Sequence, residues 1–214
     1  MIISLKHNFI YIRTRKTAST SIHRALEQVL GPEDICIRGS YYDLSSVLRR
    51  GVLAPEEGFP THVEADKIMP FLKRRIWNRA FKFTSERHPY EKAISLAFYF
   101  ASKTEKIAKR GHRPPSDDFE EVLERVVRAG RYAGFPLYYI DGAPIVSDFI
   151  RYETLEADLK RIAEKLGFEI PPLPEMKTAV RTDRRPARDI LTKAQKETIY
   201  ETCKPEFDLL GYEP

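Results

Sequence analysis

The sequence predicts an α/β domain with a central, mainly parallel sheet flanked by helices. Short runs of β-branched and aromatic residues alternate along the chain with segments of helical periodicity. The first clear strand is followed by a polar loop and a helix, and the same order recurs further on. This alternation is typical of parallel sheets covered by helices. Because no repeat or low-complexity linker interrupts the 214 residues, we predict one domain over residues 1–214.

The first strand–loop–helix unit is predicted at the N-terminal end of the chain. Residues 8–13 form a compact run typical of a buried strand, and residues 13–21 are basic and rich in hydroxyls. Apolar residues then recur at helical spacing from Ile22 to Leu30, and Gly31 and Pro32 end that helix.

The middle of the chain predicts a second unit of the same kind. We expect loops with a short helix near 44–50, a short strand or strand end at 59–63, a helix over 64–72 and a strand over 79–85. Pro89 begins a helix that runs to about Ser102, since proline is favoured in the first helical turn.

The C-terminal half continues the alternation. We predict an exposed basic loop at 103–115, a capped helix from 116–120 to Gly130, a turn at Asp141-Gly142, a strand over 146–152 and a helix over 154–166 ended by Gly167. A long basic loop then spans 170–188, and one last helix spans 192–210.

Composition limits the classes of protein. The hydrophobic fraction is 42% and the charged fraction 31%, which are ordinary values for a globular domain that needs no disulfide. Cys36 and Cys203 lie far apart and the five histidines are scattered, so spacing predicts no structural zinc site. A net charge of +5 is compatible with an ordinary basic surface or with affinity for a polyanion or a nucleotide phosphate.

The chain shows no signal-peptide pattern and no run of 18 apolar residues. We therefore expect no membrane span and a cytoplasmic location.

The loop at 13–21 is the first candidate site. It joins the end of a strand to the start of a helix, where unpaired backbone N–H groups and the helix dipole favour an anion. Lys16 adds a point charge, and Thr17, Ser19, Thr20 and Ser21 add hydroxyl donors. A Walker loop requires two glycines, and this loop has none. The loop therefore argues against a nucleotide kinase, while a solvated basic turn remains an open alternative.

Residues 11–22 resemble the 5′-phosphosulfate-binding loop of sulfotransferases that use 3′-phosphoadenosine 5′-phosphosulfate (PAPS). The likeness is strongest to Golgi-type carbohydrate sulfotransferases. It implies a P-loop NTPase-like, three-layer fold and a contact from Lys16 to the bridging oxygen and the 5′-phosphate. The implied nucleotide-binding residues here are Arg15, Lys16, Thr17, Ala18, Ser19, Thr20 and Ser21.

Residues 83–95 resemble the family's 3′-phosphate motif. The likeness implies that Arg87, at a strand end, pairs with the phosphate, and that Ser95 in the following helix also contacts it. The sequence departs from the family's pattern at two positions, since His88 replaces Asn or Asp and Lys92 replaces Arg.

His62 lies between the two motifs, where carbohydrate sulfotransferases often carry a histidine that acts as general base. A neutral imidazole suits removal of a hydroxyl proton near pH 7. Glu64 is the alternative base, because some family members use a glutamate. Sulfate carries less charge than phosphate, so we expect catalysis without a metal, with Lys16 stabilising the leaving phosphate oxygen.

The resemblance extends to the C-terminal half. Residues 148–158 are similar to a family element before a helix, and Arg184 and Arg185 are implied contacts to the 3′-phosphate or the acceptor.

The sequence thus predicts a metal-independent sulfotransferase that uses PAPS, releases 3′-phosphoadenosine 5′-phosphate (PAP) and modifies a hydroxyl of a carbohydrate or glycoconjugate. We expect no nucleic-acid partner. The alternatives are a P-loop nucleotide kinase-like enzyme and a polyanion-binding module without catalysis, which would show steep salt dependence.

Overall fold

The computed structural model describes residues 1–37, 59–108, 118–174 and 181–214. The chain forms two compact units. The first comprises Met1–Glu86 and Pro136–Met176, and the second comprises Arg87–Phe135 and Lys177–Pro214. The expectation of a single domain stays a prediction.

The strands found among the described residues lie in the first unit. They are β1 (Ile2–Ser4), β2 (Phe9–Ile12), β3 (Ile35–Cys36), β4 (Phe81–Glu86), β5 (Tyr139–Ile140), β6 (Ala143–Pro144) and β7 (Asp148–Arg151). A five-stranded sheet has the order β3-β1-β2-β4-β7, and β5 pairs with β6 in a separate hairpin.

The central sheet is mixed around a parallel centre. Strands β2, β4 and β7 run parallel, whereas β1 is antiparallel to both β2 and β3. A tight turn at residues 5–8 joins β1 to β2, and such a turn can connect only antiparallel strands. The prediction of an α/β sheet is confirmed, and its parallel character holds for β2, β4 and β7.

Both units contain helices. The first unit contains α1 (Ser19–Glu27), α2 (Ala65–Ile68), α3 (Arg74–Arg79) and α6 (Leu155–Leu166). The second contains α4 (Pro89–Ala108), α5 (Phe119–Ala129), α7 (Ala187–Ile190), α8 (Lys193–Thr202) and α9 (Lys204–Leu210). Among the described residues, none of the helices combines the length and the hydrophobicity of a membrane-spanning segment.

Helices α1 and α6 pack on the central sheet through one apolar cluster. Its buried members are Ile2, Phe9, Tyr11, Ile22, Leu26, Phe83, Ile150, Leu159 and Ile162. The helical members recur at spacings of three and four residues, which places them on one face of each helix. Burying each large side chain stabilises the fold by about 1.5–3 kcal/mol. This packing fixes the start of α1 beside the ends of β2 and β4.

The second unit encloses a buried ion pair within its apolar core. Lys92 of α4 and Glu206 of α9 form a salt bridge, and both side chains have an exposed fraction of 0%. Glu206 also accepts hydrogen bonds from the backbone N–H groups of Gly134, at 2.5 Å, and Phe135, at 3.1 Å. Three donors therefore satisfy this buried carboxylate.

Most of the predicted elements are found. The strands at 8–13, 79–85 and 146–152, the helices up to Gly130 and up to Gly167, and the Asp141-Gly142 turn are confirmed. The predicted helix over 64–72 is α2 followed by a 3-10 turn, Met69–Phe71. The predicted short helix at 44–50 lies outside the described residues.

Several expectations were wrong. Residues 59–63 form coil and a turn instead of a strand, and α1 ends at Glu27, short of Leu30. Helix α4 continues through residues 103–108, and α7 begins within the expected basic loop at 170–188.

The last helix, predicted as continuous, is broken at Cys203. Pro205 cannot donate a hydrogen bond within a helix, so it occupies the first turn of a new one, α9.

We predict that Lys92→Met lowers the free energy of unfolding by about 3–5 kcal/mol, because it leaves the Glu206 carboxylate buried without a cation. The double variant Lys92→Met/Glu206→Gln should recover most of this loss, since the Gln oxygen can still accept the two backbone N–H groups. Urea denaturation measures both.

The control is Lys160→Met on α6, which removes an exposed i,i+4 pair with Glu164 and should change stability by less than about 0.5 kcal/mol. Equal stability of the single and double variants would contradict this account.

Candidate functional site

The predicted anion-binding loop lies at the carboxyl edge of the sheet. Strand β2 ends at Ile12 and α1 begins at Ser19. Because β2 and β4 are parallel with Ile12 opposite Thr84, the loop lies beside the end of β4. Ligands of open α/β sheets bind at this edge. The order of strand, loop and helix is as the sequence predicted.

A cluster of hydroxyl groups ties this loop to β4. The Thr17 Oγ1 atom lies 2.8 Å from Ser85 Oγ and 3.0 Å from Thr14 Oγ1. Thr14 Oγ1 also donates a hydrogen bond to the Ser85 carbonyl, and the Tyr11 hydroxyl lies 2.9 Å from Ser85 Oγ. We call Tyr11, Thr14, Thr17 and Ser85 the hydroxyl cluster. Burial raises the pKa of Tyr11 far above its usual value, so its hydroxyl stays protonated.

Several hydroxyls that the sequence predicts as phosphate donors instead form hydrogen bonds within the protein. Thr17 is fully buried, and Ser19 Oγ donates to the Thr14 carbonyl at 2.6 Å. Thr20 Oγ1 accepts from Arg13 at 2.7 Å and keeps its own proton, while Ser21 is buried. The side chains of Thr17 and Ser19 therefore shape the loop from within. The N–H groups of Ser21 and Ile22 donate to the Ala18 carbonyl, so the donors that α1 can offer a ligand at this end are the backbone N–H groups of Ser19 and Thr20.

Two residues of the loop have left-handed backbone conformations. Lys16 has φ 61° and Ala18 has φ 57°. Such angles are uncommon for residues other than glycine and cost about 1–3 kcal/mol each. Left-handed residues turn successive backbone N–H groups towards a common concave side, as in anion-binding nests. The loop thus adopts strained angles without glycine, and the hydroxyl cluster holds them.

His62 lies against the same loop. Its Nδ1 atom is 3.0 Å from the carbonyl oxygen of Arg13. Since a carbonyl only accepts, Nδ1 must carry the proton, and Nε2 of the neutral ring then holds a lone pair. The structure thereby brings the predicted base to the predicted anion loop, although residues 59–63 form no strand.

His62 is neutral at physiological pH. Its pKa is lowered from 6.5 to about 4, chiefly by burial and with smaller contributions from the positive charges of Arg15 and Arg13, while the hydrogen bond to the Arg13 backbone opposes the shift. A neutral ring with a fixed tautomer can accept a proton at Nε2.

His62 and Glu64, the two predicted bases, line one cavity of about 450 Å³. Its walls also include Phe59, Phe71 and Lys67. The rings of Phe59 and Phe71 meet edge to face, with centroids 5.2 Å apart. The cavity therefore combines aromatic walls with a candidate proton acceptor.

Arg13 was not among the predicted site residues. Its guanidinium donates to Thr20, its carbonyl accepts from His62, and burial lowers its pKa. The only feature of the sequence that could have indicated a role for Arg13 in the site is its position directly after the strand and before the basic loop. Arg13 links the base to the loop. The predicted loop cations Arg15 and Lys16 are half-buried.

In the second unit, Arg87 and Glu91 form a salt bridge of 3.1 Å. Glu91 also accepts from Arg181 and, at 2.7 Å, from the Ala187 N–H. Burial alone would raise the pKa of Glu91, but these donors and the Arg87 charge lower it below its usual value. Arg87 is thus held by a carboxylate with which a bound phosphate would compete.

The other predicted residues of this unit differ in their surroundings. Ser95 is half-buried on α4, four residues beyond Glu91 and so on the same helix face. Arg184 is exposed, and Arg185 pairs with Asp183 at 2.6 Å. Lys92, at the basic position of the resembled motif, is committed to Glu206 inside the core.

Neither protein-family models nor curated proteins nor solved structures match the chain.

We predict that His62 makes stability depend on pH between 6.5 and about 4. The unfolded chain binds this proton first, so the contribution of His62 is complete above pH 6.5 and is lost as the pH falls to about 4. The loss is at most about 1.4 kcal/mol per pH unit. Denaturation curves of the wild type and His62→Gln, measured across this range, should diverge, with the wild type losing more stability. Parallel curves would show that His62 is not buried in its neutral form.

Proposed function

We propose that this chain is a sulfotransferase, which transfers a sulfuryl group from PAPS to the hydroxyl of an acceptor and releases PAP. The observation that carries the proposal is the hydrogen bond from His62 to the Arg13 carbonyl. It supports the proposal because a neutral imidazole with a lone pair on Nε2 lies beside a strand–loop–helix junction of the kind that binds anions. The resemblance of residues 11–22 to a phosphosulfate-binding loop indicates PAPS as the donor of the sulfuryl group.

In the proposed step, His62 Nε2 accepts the hydroxyl proton of the acceptor. The acceptor oxygen forms a bond to sulfur as the bond between sulfur and the phosphate oxygen breaks. Negative charge grows on that phosphate oxygen, and the role proposed for Lys16 is to stabilise it. Positioning of the two reactants in line accounts for the remaining acceleration.

The low pKa of His62 is compatible with this role. The charges of Arg15 and Arg13 contribute to the low pKa, and the negative charges of a bound nucleotide would offset them. Nucleotide binding should therefore raise the pKa of His62 towards the reaction pH, where a general base is most effective.

The loop contributes to binding through its backbone. We propose that the first-turn N–H groups of α1 and the side chains of Arg15, Lys16 and Thr20 bind the 5′-phosphosulfate, while Thr17 and Ser19 hold the loop in shape. By the same resemblance, Arg87 and Ser95 bind the 3′-phosphate, and Arg184 and Arg185 are further candidates for the 3′-phosphate or the acceptor.

We further propose that the fold is a P-loop NTPase-like, three-layer fold, that the protein is cytoplasmic, and that the acceptor is a carbohydrate or glycoconjugate. Phe59 and Phe71 in the wall of the cavity beside His62 support a ring-shaped acceptor, because aromatic side chains pack well against apolar ring surfaces.

We predict that PAP stabilises the protein in thermal-shift titration, by about 2.7 kcal/mol at one hundred times its dissociation constant. Lys16→Ala and Arg87→Ala should both weaken the shift. His62→Gln should keep it but lower the rate of sulfuryl transfer from PAPS by about 10²–10⁴-fold.

The matched controls are Lys160→Ala, an exposed cation on α6, for binding and Glu64→Gln for catalysis. ATP with Mg²⁺ serves as the control for a kinase. Stabilisation by ATP and Mg²⁺ without any by PAP would refute the proposal, and full turnover by His62→Gln would move the base to Glu64.

A further inference from the structure

Three potential metal ligands meet outside the candidate site. His23 Nε2 lies 3.1 Å from Cys36 Sγ and 3.1 Å from Glu27 Oε1, and Cys36 Sγ lies 3.2 Å from the same Glu27 oxygen. The three atoms thus form a nearly equilateral triangle. We call His23, Glu27 and Cys36 the ligand triad.

The fold explains why these residues meet. His23 and Glu27 are four residues apart on α1, which places them on one helix face. Cys36 lies on β3, the edge strand that pairs with β1 through Ile2. The His23 side chain is 4% exposed and that of Glu27 is 21% exposed, so the triad is largely buried yet reachable from solvent.

The geometry argues against a nucleophilic thiol. In a relay of nucleophile, histidine and carboxylate, the two partners contact different ring nitrogens. Here sulfur and carboxylate oxygen both face Nε2, and a carboxylate 3.2 Å from the sulfur disfavours a thiolate. Three lone-pair donors that face one point need either shared protons or a cation between them.

We propose that His23, Glu27 and Cys36 bind a divalent transition-metal ion, with Zn²⁺ as the best match. Thiolate, imidazole and carboxylate are the zinc ligands of proteins, and three protein ligands leave a fourth position for water. Bonds of about 2.0–2.3 Å in a tetrahedral site separate ligand atoms by roughly 3.3–3.7 Å. The triad atoms would need to spread by only a few tenths of an ångström.

The charges are balanced for such an ion. A thiolate and a carboxylate neutralise the two charges of Zn²⁺, and the imidazole binds as the neutral ring. Arg13 interacts with the charges of Cys36 and Glu27 and therefore competes with the metal, which moderates the affinity. The bound ion would join α1 to the sheet edge at β3.

The spacing argument from sequence predicted no structural zinc site, and the proposal revises that expectation. A His–Glu pair one helical turn apart and a cysteine nine residues further on match none of the contiguous zinc patterns. The triad is formed by the packing of α1 against the sheet edge.

The test is titration of the full-length, chelator-treated protein with Co²⁺ in the absence of nucleotide. We expect one Co²⁺ per chain, a thiolate-to-cobalt charge-transfer band, the visible bands of tetrahedral Co²⁺, and displacement of both by Zn²⁺. Cys36→Ala should abolish the charge-transfer band. Glu27→Gln should weaken Zn²⁺ binding by more than the roughly 10–100-fold that loss of an outer-shell partner costs.

The matched control is Cys203→Ala, which removes the other cysteine, in the second unit, and should retain the band. Glu27→Gln replaces a partly exposed side chain with an isosteric one, so we expect this variant to fold. It therefore tests metal binding even if Cys36→Ala fails to fold.

A wild type without the charge-transfer band, or a Glu27→Gln variant that binds Zn²⁺ as tightly as the wild type, would overturn the proposal. Either result would leave the proposed sulfotransferase function untouched, since PAP binding is measured separately.

Discussion

The hydrogen bonds between the loop after β2 and the end of β4 are the constraint on which the candidate site depends. Thr14 and Thr17 bond to Ser85, so two parallel strands are joined at their carboxyl ends through side chains as well as through the sheet. These bonds compensate the strain of left-handed angles at Lys16 and Ala18. A loop with glycines would need no such support, but it would lose more conformational freedom on folding.

Because of these hydrogen bonds, different residues of the loop have different roles. The inward hydroxyls of Thr17 and Ser19 hold its shape, whereas the first turn of α1 and the cations offer charge and donors to an anion. The Arg13 carbonyl then sets the tautomer of His62. In the proposed function, the loop at 13–21 therefore both forms the anion site and orients His62 as the base.

Two carboxylates of the second unit, one buried and one half-buried, each have three donors. Glu206 has Lys92 and two backbone N–H groups as donors, and Glu91 has Arg87, Arg181 and the Ala187 N–H. In each case one carboxylate joins segments that are distant in the chain. Removing a single donor from the fully buried Glu206 leaves a charge that the core cannot solvate.

The sequence predicted those elements whose signal is local and strong. The run at 8–13 and the amphipathic pattern of α6 are long enough to show a period, whereas β1 and β3 have three and two residues and show none. Pro205 marks the break in the last helix and could have been recognised, since proline is excluded from helix interiors.

The site was less predictable than the fold. Residue types indicated an anion loop, but not that Thr17 and Ser19 point inward, because left-handed angles redirect side chains in a way that composition does not show. Lys92 occupies the basic position of the resembled motif and is nevertheless buried against Glu206, a partner 114 residues away. Contacts over such separations depend on packing, which a single sequence does not display.

The central claim is that the glycine-free loop and the first turn of α1 bind a nucleotide phosphate through backbone N–H groups. Its most direct test is to follow the amide ¹⁵N and ¹H chemical shifts of the labelled protein during titration with PAP. We expect large changes for the amides of residues 16–20, whereas the Ser21 N–H already donates to the Ala18 carbonyl. Saturable PAP binding that leaves these amides unchanged would contradict it.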